Sequence, residues 1–195
     1  MDIVSLAVPD LKLLKPRRIS DTRGVFSVTY SRRELAGAGL VADFVQDNHS
    51  RSTLPGTVRG LHFQREPFAQ TKIIQVMRGA IFDVALDIRP HSPSFGRHVA
   101  VELTADSWQQ LYIPAGFAHG FCTLTPDTEV FYKVDRDYAP QHEGGIIWND
   151  PELGIAWPVG PDAAILSERD RLWPSFAEWR AAHAGRLAPI EARAR

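Results

Sequence analysis

The stretch Ile81-Phe82-Asp83-Val84-Ala85-Leu86-Asp87-Ile88 puts Phe82, Val84, Leu86 and Ile88 on one side and Asp83 and Asp87 on the other. That is the period-two pattern of a strand with one face on a core. The alternation recurs in His98 to Leu103 and, less cleanly, in Lys72 to Met77 and Glu129 to Val134. From about Ile3 to Val134 such segments are separated by Gly, Pro, Asn, Asp and Ser, the punctuation of antiparallel connections. A helical repeat fits two places: Arg32 to Leu40, and Pro174 to Ala184, where Phe176 and Trp179 stand at i, i+3. Tyr138 to Pro161, rich in Pro, Gly, Trp and Asn, reads as a long ordered loop bearing short strands, and Arg186 to Arg195 as a fraying end. The chain has 195 residues, enough for one real core and with no linker to divide it, so residues 1–195 are expected to form a single domain. This many strands in one domain predicts a mainly β fold, a jelly-roll barrel with short accessory helices.

Charge narrows the partners. Lys plus Arg number 22 against 23 Asp plus Glu, so bulk attraction to nucleic acid or a membrane surface is excluded, and 44% apolar residues exclude a disordered chain. A small molecule is the better partner. Cys122 is the one cysteine, which rules out an intramolecular disulfide and a four-cysteine zinc site. Met1 to Ala7 carries Asp2 and is cut short by Pro9, unlike a signal peptide, and no apolar run reaches the length of a membrane span. A cytoplasmic protein is expected.

Two segments concentrate polar chemistry. Gln46-Asp47-Asn48-His49-Ser50-Arg51-Ser52 precedes Pro55-Gly56 and then Arg59-Gly60-Leu61-His62-Phe63-Gln64, a hairpin with more donors than a fold requires. A solvated hairpin would also account for it. Tyr112-Ile113-Pro114-Ala115-Gly116-Phe117-Ala118-His119-Gly120-Phe121 contains Pro-x-Gly-x-x-His, which resembles the second motif of cupins. The first cupin motif can be sought upstream, where five residues separate Gly56 from His62. The next ligand position holds Gln64, and the expected carboxylate is replaced by Lys72, seven positions ahead of Gly79. An ammonium is repelled by a divalent cation, so no metal is expected; nor is any other cofactor. His62, Lys72, His119 and Tyr132 remain on neighbouring strands as an acid–base set, although a lone His or Tyr is more often a satisfied core or rim residue.

Asp21-Thr22-Arg23-Gly24-Val25-Phe26, the two polar segments above, Lys72, Asp87-Ile88-Arg89, Ser92-Pro93-Ser94-Phe95-Gly96, Tyr132-Lys133, Tyr138-Ala139-Pro140, Glu143, Trp148-Asn149-Asp150-Pro151 and Leu166-Ser167-Glu168-Arg169-Asp170 together resemble the dTDP-4-dehydrorhamnose 3,5-epimerase family. The resemblance spans roughly residues 3 to 175, in order. It implies a cupin-type jelly roll that works without a metal, as a homodimer, on a nucleotide-linked 4-keto-6-deoxyhexose. It further implies His62 as the base, paired with Asp170, Lys72 as the group that stabilises the enolate, and Tyr132 as the proton donor. Substrate contacts then fall on Arg23, Phe26, Gln46, Asp47, Asn48, Arg59, His119, Glu143 and Arg169, with Tyr138 stacking on the base. One position departs: where the family usually carries a Glu that contacts the substrate, this chain has Val28. An epimerase acting at one carbon only would share these residues. A metal-dependent cupin is opposed by Gln64 and Lys72, and a sugar-nucleotide binding module would not need the acid–base set.

Overall fold

A computed structural model describes residues 1–183. Thirteen strands follow one another: β1 (Asp2–Ser5), β2 (Lys12–Lys15), β3 (Arg18–Asp21), β4 (Gly24–Ser27), β5 (Gln46–Ser52), β6 (Val58–Gln64), β7 (Lys72–Arg78), β8 (Ala80–Asp87), β9 (His98–Thr104), β10 (Gln110–Ile113), β11 (Phe117–Thr123), β12 (Thr128–Val134) and β13 (Glu143–Gly145). Two sheets result, one ordered β1-β2-β10-β7-β12-β5 and the other β13-β6-β11-β8-β9, while β3 and β4 pair with each other in a separate hairpin. All named pairs are antiparallel. This is the mainly β jelly roll that the alternation predicts.

The expectation that β8 has one core face needs correcting, because both of its faces are covered. Ile81 and Ala85 join Ile74, Val76, Leu111 and Val130 in a buried cluster contributed by both sheets. Val84, Leu86 and Ile88, with Phe82 alongside, pack in a second cluster with Ile146, Leu153, Phe176 and Trp179. The chain beyond β13 folds back over the outside of this sheet, so the apolar side of β8 is covered there and the side bearing the aspartates turns inward. Asp83 and Asp87 are wholly buried. Each has partners: Asp83 meets His119, and Asp87 accepts from Arg89, Ser92 and Ser94. Burial alone would raise the Asp87 carboxyl, but these bonds outweigh it and hold the group below the usual carboxylate range.

The two helices are short. α1 (Arg32–Gly37) starts where the Ser31 side chain caps the Glu34 amide and stops before Gly39, at φ +78°. α2 (Phe176–Ala182) opens with a capping box between Ser175 and Glu178 and buries Phe176 and Trp179. The expected loop 138–161 contains a 3-10 turn at Pro140–His142 and the short strand β13. The end assigned to fraying, 186–195, lies outside the described residues.

Candidate active site

A cavity of about 450 Å³ opens between the sheets. Along β5 the even positions Gln46, Asn48 and Ser50 line it, and the odd position Asp47 turns out to pair with Lys133. β7 supplies Lys72 and β12 supplies Tyr132, both from the same sheet as β5. From the facing sheet come Arg59, His62 and Gln64 on β6, and His119 and Phe121 on β11. In register, His62 stands directly opposite His119. The close approach here needs glycine: Gly60 has φ +126°, and a Cβ on it would lie 2.5 Å from the Gly120 Cα. Tyr138, Glu143, Ser167, Arg169 and Asp170 complete the rim and floor from the chain after β12.

The charged groups are held in specific pairs. His62 Nε2 bonds to Asp170 Oδ1, with the Trp173 indole N–H donating to the same oxygen at 3.3 Å. Burial works to raise the Asp170 carboxyl, yet the His62, Ser167 and Trp173 contacts prevail and lower it. A carboxylate on one ring nitrogen leaves the other nitrogen of His62 as the basic site. Lys72 is buried, and burial pushes its ammonium down to about 8, with Asp83 and Glu143 working in the opposite direction. Burial also raises the Tyr132 phenol, partly countered by the Arg59 guanidinium. His119 Nε2 lies 2.5 Å from Asp83 Oδ1. At the rim, the Tyr138 hydroxyl donates to Glu143 at 2.9 Å, and Arg169 donates to the same carboxylate oxygen at 2.5 Å.

This set can remove a proton at His62, hold negative charge beside Lys72 and deliver a proton from Tyr132. Its donors do not fit a metal. His62 and His119 are each tied to a carboxylate, Gln64 bonds to main chain, and Lys72 stands where a carboxylate ligand would be needed. Among the described residues, no group of three or more His, Cys, Asp and Glu side chains could hold an ion.

The cavity therefore gathers His62, Lys72, Tyr132, Asp170, Gln46, Asn48, Arg59, His119, Tyr138, Glu143 and Arg169. Arg23 and Phe26 lie outside it on the β3–β4 hairpin, where Arg23 pairs with Asp21 and Phe26 is exposed. Val28, just past β4, is exposed as well. Sequence reading overlooked Asp83 behind His119 and Trp173 behind Asp170. The period-two pattern sets Asp83 apart from its apolar neighbours without saying which side is inward, and nothing local marks Trp173. It also left Ser50, Gln70, Phe121 and Ser167 without a role, although all four line the cavity.

The sequence pattern of the family described as dTDP-4-dehydrorhamnose 3,5-epimerase matches residues 5–178. A dTDP-4-dehydrorhamnose 3,5-epimerase of Pseudomonas aeruginosa is 48% identical over 179 residues, 91% of this chain and 97% of its own length. A solved structure of the Bacillus anthracis enzyme of that name, with TDP and PPi bound, is 50% identical, covers 90% of this chain and 99% of its own, and superposes with a TM-score of 0.87. The Legionella pneumophila dTDP-6-deoxy-D-glucose-3,5-epimerase, solved in complex with dTDP-4-keto-L-rhamnose, is 37% identical over 93% of this chain and 95% of its own, also with a TM-score of 0.87.

Proposed function

Because the chain belongs to the dTDP-4-dehydrorhamnose 3,5-epimerase family, we propose that His62, Asp170, Lys72 and Tyr132 carry out the family's chemistry in this cavity. The protein is an isomerase that inverts C3 and C5 of dTDP-4-dehydro-6-deoxy-D-glucose to give dTDP-4-dehydro-L-rhamnose, a step of dTDP-L-rhamnose biosynthesis. Both carbons are α to the C4 carbonyl, so a single group near O4 stabilises the enolate formed at either one. Lys72 is that group. His62 takes the C–H proton, and Asp170 keeps its imidazole oriented. The C–H bond is remade by a proton from the Tyr132 hydroxyl on the opposite face. His62 and Tyr132 then exchange protons with water to return to their starting states.

The observation that carries this reading is that His62 and Tyr132 belong to different sheets and open into one cavity. Inversion needs a proton to leave one face and return to the other, and the two sheets supply the two faces. Arg59, His119 and Arg169 offer cationic or donor groups to a diphosphate, and Tyr138 a stacking surface for the base. The protein works as a homodimer in this reading. The β3–β4 hairpin leaves Ile19, Val25, Phe26 and Val28 exposed, and a second copy would cover them and bring Arg23 and Phe26 to a substrate. We place it in the cytoplasm, since a charged nucleotide sugar does not cross a bilayer unaided and no helix among the described residues is long and apolar enough to cross one.

Proton NMR of the substrate in deuterium oxide tests the chemistry. Deuterium should enter at both C3 and C5, with no effect of a chelator. Exchange confined to one carbon would reduce the activity to mono-epimerisation, and loss of exchange on chelation would bring back a metal.

A further inference from the structure

Gln64 occupies the place in β6 where a cupin would present its second ligand, and in this chain its amide is spent on main chain. Nε2 donates to the carbonyl of Phe68 at 2.8 Å and to that of Asp137 at 3.2 Å, while Oε1 accepts from the Ala139 amide at 2.7 Å. The side chain is buried although it borders the cavity. Two of its three bonds grip the residues immediately before and after Tyr138. The amide of Tyr138 itself is held by Gln46 Oε1 at 3.2 Å. Its phenol is held by Glu143, the residue paired with Gln64 across the β6–β13 ladder. An aromatic ring at a cavity rim, half exposed to water, is thus fixed at its backbone and at its tip before anything binds.

We propose that Gln64 is a positioning residue for nucleotide binding: it clamps the 137–139 segment so that Tyr138 presents a preformed stacking face. The proposal rests on the reading of Tyr138 as the residue that stacks on the base. Ordering a rotamer-rich side chain and its loop costs affinity when it happens on binding, and a clamp that orders them beforehand removes that cost. The clamp touches no reacting atom, so it acts on affinity and leaves turnover alone.

Gln64→Met keeps the length and shape and removes all three bonds. It should weaken dTDP binding and raise KM by about tenfold, the order that base–aromatic stacking is worth, with kcat within about twofold of wild type. Tyr138→Ala should weaken dTDP binding at least as much, and the double variant should bind no worse than Tyr138→Ala alone, because the clamp has nothing left to position. Gln64→Glu keeps the acceptor for Ala139 but turns an oxygen on the two carbonyls. Its affinity defect should shrink as pH falls and the carboxyl regains a proton, while that of Gln64→Met stays flat. Additive losses in the double variant, or a drop in kcat with unchanged KM, would overturn the proposal. Should neither Gln64 variant fold, amide exchange on the wild-type protein decides: Ala139 should exchange far more slowly than the neighbouring Gln141, and equal rates would also overturn it. A Tyr138→Ala protein that binds dTDP like wild type would instead remove the stacking reading, and the Ala139 exchange rate would still judge the clamp.

Discussion

At the scale of single residues the division of labour between the two sheets can be read out by exchange and epimerisation measured separately. His62→Ala should abolish wash-in at both carbons by on the order of a hundredfold or more, because one base serves both. Tyr132→Phe should hurt epimerisation more than wash-in, since a proton can still return to the original face by way of His62. Near-normal exchange at either carbon in His62→Ala would refute the one-base scheme. In the proposed scheme Lys72 governs the alkaline side. Burial holds its ammonium at about 8, and in that scheme the ammonium is the form that stabilises the enolate, so kcat/KM should fall as pH rises through about 8. Tyr132, displaced upward, cannot produce a limb there. Lys72→Arg should therefore carry the limb to higher pH, and a limb unmoved by that change would belong to some other group. The acid–base residues were legible because their types and order match a known pattern. Even so, spacing gave no reason to join His62 to Asp170, 108 positions away, and contacts of that range are set by the fold alone.

At the scale of elements, alternation located the central strands well: residues 81–88 were read as a strand and β8 is Ala80–Asp87. What it could not supply was the number of covered faces. A period of two separates two sides of a strand, and whether the second side meets solvent or another layer depends on where the later chain folds. Gly60 is a second case. In sequence it is one glycine in Arg-Gly-Leu-His, and in the fold it is the point where β6 and β11 come close enough to set His62 across from His119. Gly60→Ala should destabilise the protein by about 2 kcal/mol or more, as both the positive φ and the contact with Gly120 oppose a Cβ. Denaturant unfolding of the variant, read beside its activity, checks this. A loss under about 0.5 kcal/mol, the range of an ordinary surface change, would mean that the strands can part without consequence.

At the scale of the whole molecule, the β3–β4 hairpin pairs with neither sheet and exposes an apolar side, with Ile19 across from Phe26. Sedimentation should give twice the mass of one chain, and Ile19→Asp should shift the population toward single chains with activity falling on dilution. A single chain that is fully active would contradict the homodimer and would leave Arg23 and Phe26 without a part. The path of the chain between its two sheets has a wider consequence. From β5 to β12 every connection except β8 to β9 passes from one sheet to the other. The proposed donor and acceptor of the reaction's protons, Tyr132 and His62, thus lie on interleaved stretches of sequence. No contiguous fragment that forms one layer contains the other's half of the chemistry, so recombination between relatives can transmit the proposed His62 and Tyr132 pair only as an intact sandwich.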